Sequence, residues 1–423
     1  MRLKIVTIFC FALIINSVAQ QTGKLIVKNI NLLSMKNPEV SKNTSVLIEY
    51  GKIAKIDNFK NLPKDKNIKI IDGKGKFLMP GLAEMHSHLP AENDVNALLL
   101  ENVAAGVTHL RIMNTKTSQL TLKDRLEKEP NVVSPKLFYS HIIRRDITFN
   151  EKQFDSLMLD IKKNKISFIK LFSVASEKVF DDLMKSANRN NVIVCGHFPN
   201  GIKVEKVLNS GFKSIEHLAG YEQISDEKLL LDAIKLTKEN KVYNCPTLDW
   251  DIMARDLQYP TEYKNRLVYF NAPKSYLEKW EAEYNIAVKK EGIDKVLLAK
   301  EKSLQGFRKK QNILKSLSDN NCLLLLGSDA GNFFQMNGFN MYEEMVNWSK
   351  AGIDNFTILK SATVTPAMFF NEDKIWGTVE VGKSADLIIL EKNPLVDITN
   401  IKTVEMTIID GKVYHKKELL SKL

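Results

Sequence analysis
The chain has 423 residues, 44% of them apolar and 26% charged, which is enough for one large barrel of about 250 residues plus a smaller companion and lacks the bias of disordered or repeat proteins. Its formal charge of +11 comes from lysines scattered among acids, not from a basic block, so nucleic acid is excluded as the expected partner. Composition alone names no function.

In chain order, the first expected element is a signal peptide. Arg2 and Lys4 precede an apolar run from Ile5 to Ile15, and Ser17, Val18 and Ala19 offer small residues at cleavage-site spacing. Residues 1–19 are read as this signal, because the apolar core is too short to span a bilayer. The expectation is a periplasmic or secreted protein with no stable membrane insertion after cleavage. Cys195, Cys245 and Cys322 then remain, each inside an apolar run, and an odd number at such spacing reads as three small buried side chains with no disulfide framework.

From Lys24 to Phe77 short β-branched runs alternate with turns at Gly51 and at Gly73 to Gly75. Similar runs return at Leu387 to Leu390 and Val404 to Ile409, followed by an Asp410-Gly411 hairpin turn. Residues 20–77 and 378–423 are therefore expected to form one discontinuous β-sandwich domain. Between them, residues 78–377 present eight apolar strand candidates: near Met79 to His88, Gly106 to Met113, Lys136 to His141, Ile166 to Phe172, Val192 to His197, Ser214 to Leu218, Val242 to Leu248 and Cys322 to Ser328. Helix-patterned stretches such as Ser176 to Asn190 and Ser225 to Asn240 separate them, so the fold class is α/β, a (β/α)8 TIM barrel. The interval of about 250–320 is longer than one crossover helix requires. It reads as a helical insertion whose aromatic residues pack against the barrel.

Catalytic groups of such a barrel belong at the C-terminal ends of its strands. There the first candidate strand ends in His86-Ser87-His88, the fourth reaches Lys170, the fifth ends at His197, the sixth at His217 and the eighth at Asp329. Side chains two apart on a strand share a face, so His86 and His88 can grip one divalent ion. Alone that pair is a weak signal, but two more histidines and an aspartate at other strand ends make accident improbable. Arg111, His141 and Tyr221 are candidate substrate contacts, with Asn114, Tyr139 and Thr247 as further strand-end groups. His109 reads as a satisfied core histidine, His415 as exposed, and Glu216 is expected to face away from His217.

The runs Phe77 to His88, Ser214 to Ala219, Gly327 to Gly331 and Gly382 to Ile389 resemble the amidohydrolase superfamily, and Ala105 to Arg111 is similar to its imidazolonepropionase-like and Xaa-Pro-dipeptidase-like branches. The resemblance implies a metal pair, most readily zinc, with manganese, iron or cobalt as alternatives. One ion would be held by His86, His88 and Asp329 and the other by His197 and His217, with a carboxylated Lys170 between them. Two such metals would share and deprotonate a water while Asp329 carries the proton to the leaving nitrogen. The resemblance also extends to homo-oligomers, for which the chain has no interface signature.

The leading expectation is hydrolysis of a carbon–nitrogen bond in a small molecule, a dipeptide such as Xaa-Pro or an N-acyl amino acid. A mononuclear imidazolonepropionase-like cyclic-amide hydrolase or deaminase is the first alternative, ranked lower because Phe198-Pro-Asn-Gly201 after His197 holds no carboxylate to shuttle protons. A non-catalytic binding protein on the same scaffold is the second.

Overall fold
The computed structural model describes residues 23–90, 94–115, 120–129, 132–254, 262–331 and 334–423, so the signal segment lies outside the described residues. Eight parallel strands form the central sheet, in chain order Leu82–Ser87, Val107–Ile112, Lys136–Ile143, Phe168–Leu171, Val194–Gly196, Ser214–Glu216, Tyr243–Cys245 and Leu323–Leu324. The eighth returns to the first through Met85 N–H to Leu326 O (3.1 Å) and Asp329 N–H to His86 O (2.9 Å), which closes a TIM barrel. Strands this short and buried on both sides suit a parallel sheet covered by helices. Ser176 and Asp226 cap two of those helices, Glu177–Asn190 and Glu227–Glu239, by accepting the Val179 and Leu229 N–H groups.

Both ends of the chain build the second sheet, of eight strands in mixed directions. Lys412–His415, Val404–Ile409, Leu387–Leu390, Phe77–Pro80, Leu25–Leu33, Val40–Glu49 and Lys52–Asp57 lie side by side, and Lys69–Asp72 pairs with Leu25–Leu33. Val27, Ile30, Val46, Leu78, Leu387 and Ile389 fill one face of this small sandwich domain, and Ile26, Leu47, Leu62 and Ile68 the other. The run read as one strand near Met79 to His88 is in fact two. Phe77–Pro80 pairs antiparallel with Leu387–Leu390, and the barrel strand starts at Leu82. The break falls at Pro80-Gly81, where a Cβ on Gly81 would sit 2.2 Å from the Thr108 side chain, so only glycine lets the first two barrel strands approach.

Between the seventh and eighth strands lie helices Leu248–Ala254, Lys274–Glu291 and Ile293–Asp319. Tyr263 stacks on Phe334 at 3.9 Å and both are buried, as is Tyr284, in line with aromatic residues that pack and do not hang free. Phe270, 73% exposed, departs from that pattern. Among the described residues no helix is long and apolar enough to cross a membrane. Cys195, Cys245 and Cys322 are buried free thiols.

Candidate metal centre
The polar side chains at several strand ends come together. His86 and His88 have ring centroids 5.3 Å apart, His86 and His217 4.8 Å, and His197 and His217 5.1 Å. Asp329 reaches them from the eighth strand: its Oδ1 is 2.9 Å from His88 Nε2 and 3.8 Å from His86 Nε2, and its Oδ2 is 3.9 Å from His217 Nδ1. Asp329 sits at φ 51°, a left-handed turn that swings its carboxylate across the mouth. Gly327 just before it has no room for a Cβ, which would lie 2.6 Å from Cys245 Sγ and 2.7 Å from the His86 nitrogen.

Three of the four imidazoles are oriented through Nδ1. His86 Nδ1 is 2.8 Å from Glu216 Oε2, His197 Nδ1 donates to Phe172 O at 3.2 Å, and His217 Nδ1 pairs with Thr247 Oγ1 at 2.6 Å. A carbonyl can only accept, so His197 carries its proton on Nδ1 and leaves Nε2 as a lone pair. His86 Nε2 and the Lys170 amine are buried without a hydrogen-bond partner. The ligand atoms of His86, His88 and Asp329 lie within 4.8 Å of one another. Orphaned buried nitrogens beside a carboxylate are what a cation site looks like before its ion, and this donor set fits a divalent metal.

Electrostatics agree with that fit. Burial, and then the charge of Lys170, holds the imidazoles of His86 and His197 below the usual histidine range, His197 at about 4; burial does the same for His217. Burial likewise lowers the Lys170 amine, partly offset by Glu216. A metal ligand must be deprotonated, and the buried imidazoles are held in that form. In metal-free protein, NMR of His197 should show a titration midpoint near pH 4; a midpoint near 6.5 would refute the desolvated site. Because the unfolded ring protonates near 6.5, this group's contribution to stability declines as pH falls from 6.5 towards 4.

An amidohydrolase family model matches residues 77–414, which include all six of these side chains. The chain belongs to the amidohydrolase family. It is a hydrolase acting on carbon–nitrogen bonds, of a family that typically binds divalent metals. A 5-methylthioadenosine/S-adenosylhomocysteine deaminase of Caldanaerobacter subterraneus subsp. tengcongensis is 23% identical, with 93% of each chain covered. Among solved structures, a Xaa-Pro dipeptidase with methionine bound in its active site superposes with TM-score 0.69 at 18% identity, covering 93% of this chain and all of the other. Molinate hydrolase gives 0.71 at 15% identity, covering 93% and 95%. At those identities the structural likeness bears on the fold.

Three side chains of this amidohydrolase that read as substrate contacts point elsewhere. Arg111 is fully buried inside the barrel, its Nη2 donating to both oxygens of Glu216 at 2.8 and 2.9 Å and its Nη1 to Ser214 Oγ. His141 shares the outer face of its strand with Tyr139 and Ile143, in electrostatic reach of Asp160 on the flanking helix Glu151–Lys163. Tyr221 is fully buried and its hydroxyl meets Thr237 Oγ1 at 2.7 Å. Asn114 is also structural, exchanging hydrogen bonds with the Leu89 backbone. His109 is a core residue, stacked 3.8 Å from Trp376, whereas His415 is half-buried in an edge strand.

Glu216 is the functional residue that sequence reasoning missed. Ser214 and Glu216 face the barrel interior, so strict alternation would turn His217 outward. Positive φ at His217 (65°) and Leu218 (56°) ends the alternation, and both Glu216 and His217 reach the centre. A second close group, His86, Glu216 and Cys245, is not a competing metal site: Glu216 is committed to Arg111, and burial raises the Cys245 thiol far above its ordinary range.

Proposed function
We propose that this chain is an exported two-metal amidohydrolase that cleaves the amide bond of a small substrate, a dipeptide such as Xaa-Pro or an N-acyl amino acid. His86, His88 and Asp329 would hold one ion and His197 and His217 the other, most readily zinc, with Lys170 carboxylated between them. The observation that carries this reading is Lys170. Its side chain is 1% exposed and its amine has no hydrogen-bond partner, so an ammonium there would strand three donors, whereas a carbamate would place an anion among metal ligands.

When bound, the metals supply Lewis acidity that polarises the scissile carbonyl and makes water a nucleophile near neutral pH. The chain contributes the rest. Asp329, aimed across the mouth, takes the proton of the attacking water and returns it to the leaving nitrogen as the carbon–nitrogen bond breaks. Glu216 at Nδ1 of neutral His86 leaves its Nε2 turned towards Asp329, and Phe172 O and Thr247 hold the rings of His197 and His217 through their Nδ1 atoms.

Purified protein loaded with zinc should bind two ions per chain, counted by elemental analysis, and turn over members of a library of Xaa-Pro and other dipeptides and N-acyl amino acids. No turnover with both ions bound would sink the peptidase version. A second reading, a mononuclear deaminase, is favoured by the full-length likeness to a deaminase. One ion per chain, an unmodified Lys170 and ammonia release from an aminopurine nucleoside would establish it instead. Export is tested by N-terminal sequencing of protein recovered outside the cytoplasm, expected to begin at Gln20.

A further inference from the structure
After the seventh barrel strand the chain passes through Thr247, which meets His217 Nδ1, into the helix Leu248–Ala254. Asp249 and Asp251 are 0% and 1% exposed, while Trp250 between them stays half-buried with its ring centroid 6.3 Å from that of His217, tilted by 44°. Each aspartate is held by a cation from the insertion. Arg266 forks onto both oxygens of Asp249 at 2.9 Å, and Lys310, itself 4% exposed, meets Asp251 at 2.6 Å. Gln335 and Asn340 also donate to Asp249, and Glu344 accepts the Leu248 and Asp249 N–H groups.

Two consequences follow for Trp250. Its backbone is clamped on both sides by buried charged hydrogen bonds, so the indole is presented to the mouth in one position. Both neighbouring carboxylates are turned into buried ion pairs, Lys310 also lying 3.6 Å from Glu222, so the face the indole offers is apolar. An apolar wall beside a metal-centre histidine suits a bulky, neutral group on the substrate and gives a charged or minimal one nothing to pack against.

We propose that Trp250 is a specificity-determining residue, a wall that packs the non-reacting apolar side chain or ring next to the scissile bond, and that the insertion serves to hold it there. This rests on the amide-hydrolase reading for its reaction but not for its binding surface.

The test compares the wild-type holoenzyme with Trp250→Ala and Trp250→Phe on substrate pairs that share a scissile bond and differ in that neighbouring group, proline or phenylalanine against glycine. The wild type should prefer the apolar member, and Trp250→Ala should reduce the ratio of kcat/KM values about 10- to 100-fold, mainly through KM. Trp250→Phe should restore much of it. Asp251→Asn, which loosens the Lys310 grip without touching the indole, should lower the same ratio by a smaller factor. Equal losses on both members, or an unchanged ratio, would overturn the wall, and an unchanged ratio in Asp251→Asn would overturn the role given to the insertion. If the wild type cleaves no amide, the hydrolytic reading fails separately. The wall is then decided by the dissociation constants of N-acetylphenylalanine and N-acetylglycine, whose ratio must fall in Trp250→Ala.

Discussion

Asp329→Asn should lower kcat by about 10²- to 10⁴-fold while leaving the fold intact, because it removes the proton acceptor and turns an anionic metal ligand into a neutral one of the same shape. The backbone at this position is left-handed, φ 51°, and asparagine tolerates that region better than other residues of its size. Its amide can still reach the 2.9 Å contact with His88 Nε2, so thermal unfolding should move little. Alanine would be a poorer probe, since its loss of activity would mix chemistry with backbone strain. Activity on a cleaved dipeptide, the melting temperature and metal content measured on one preparation separate the possibilities. A variant that keeps more than a tenth of wild-type kcat with its metal bound would remove Asp329 from the chemistry. A non-catalytic binding protein on this scaffold would keep its ligand affinity in the same variant.

Barrel strands and their polar ends were legible because each apolar run is short and ends in a side chain that a parallel sheet cannot bury on its own. The paired ends of the small domain were legible for a similar reason, since β-branched runs with glycine turns at both termini have no other partner. What stayed hidden depends on local backbone angles or on contacts between distant residues. Glu216 could not be placed by counting alternate residues once His217 and Leu218 adopt positive φ. Arg111 was misplaced because an arginine near a strand end reads as mouth-facing, and nothing local reports that its partner lies 105 positions later. The clamps on Trp250 join residues 17 and 59 apart, which no periodicity encodes.

The buried pair of Glu216 and Arg111 leads to the second large effect. Burial alone would raise the Glu216 carboxyl, but the Arg111 guanidinium beside it holds it below its ordinary range, so it stays an anion and accepts the His86 Nδ1 proton. Ser214 Oγ donates to the same carboxylate, and the Arg111 Nε–H to Met85 O, so every group in the relay is engaged. Glu216→Gln keeps the shape but leaves the Arg111 charge uncompensated in the barrel, which should destabilise the protein by about 3–5 kcal/mol. It should also weaken metal binding about 10- to 100-fold, the usual cost of losing the carboxylate behind a ligating histidine. The two effects separate in the double variant Glu216→Gln with Arg111→Met, which removes both charges. Stability should then largely recover while metal affinity, read by competition with a chelator, stays low. Recovery of both together would mean that Glu216 acts only through the fold, and recovery of neither would mean that the cavity, not the charge, is what the barrel cannot tolerate.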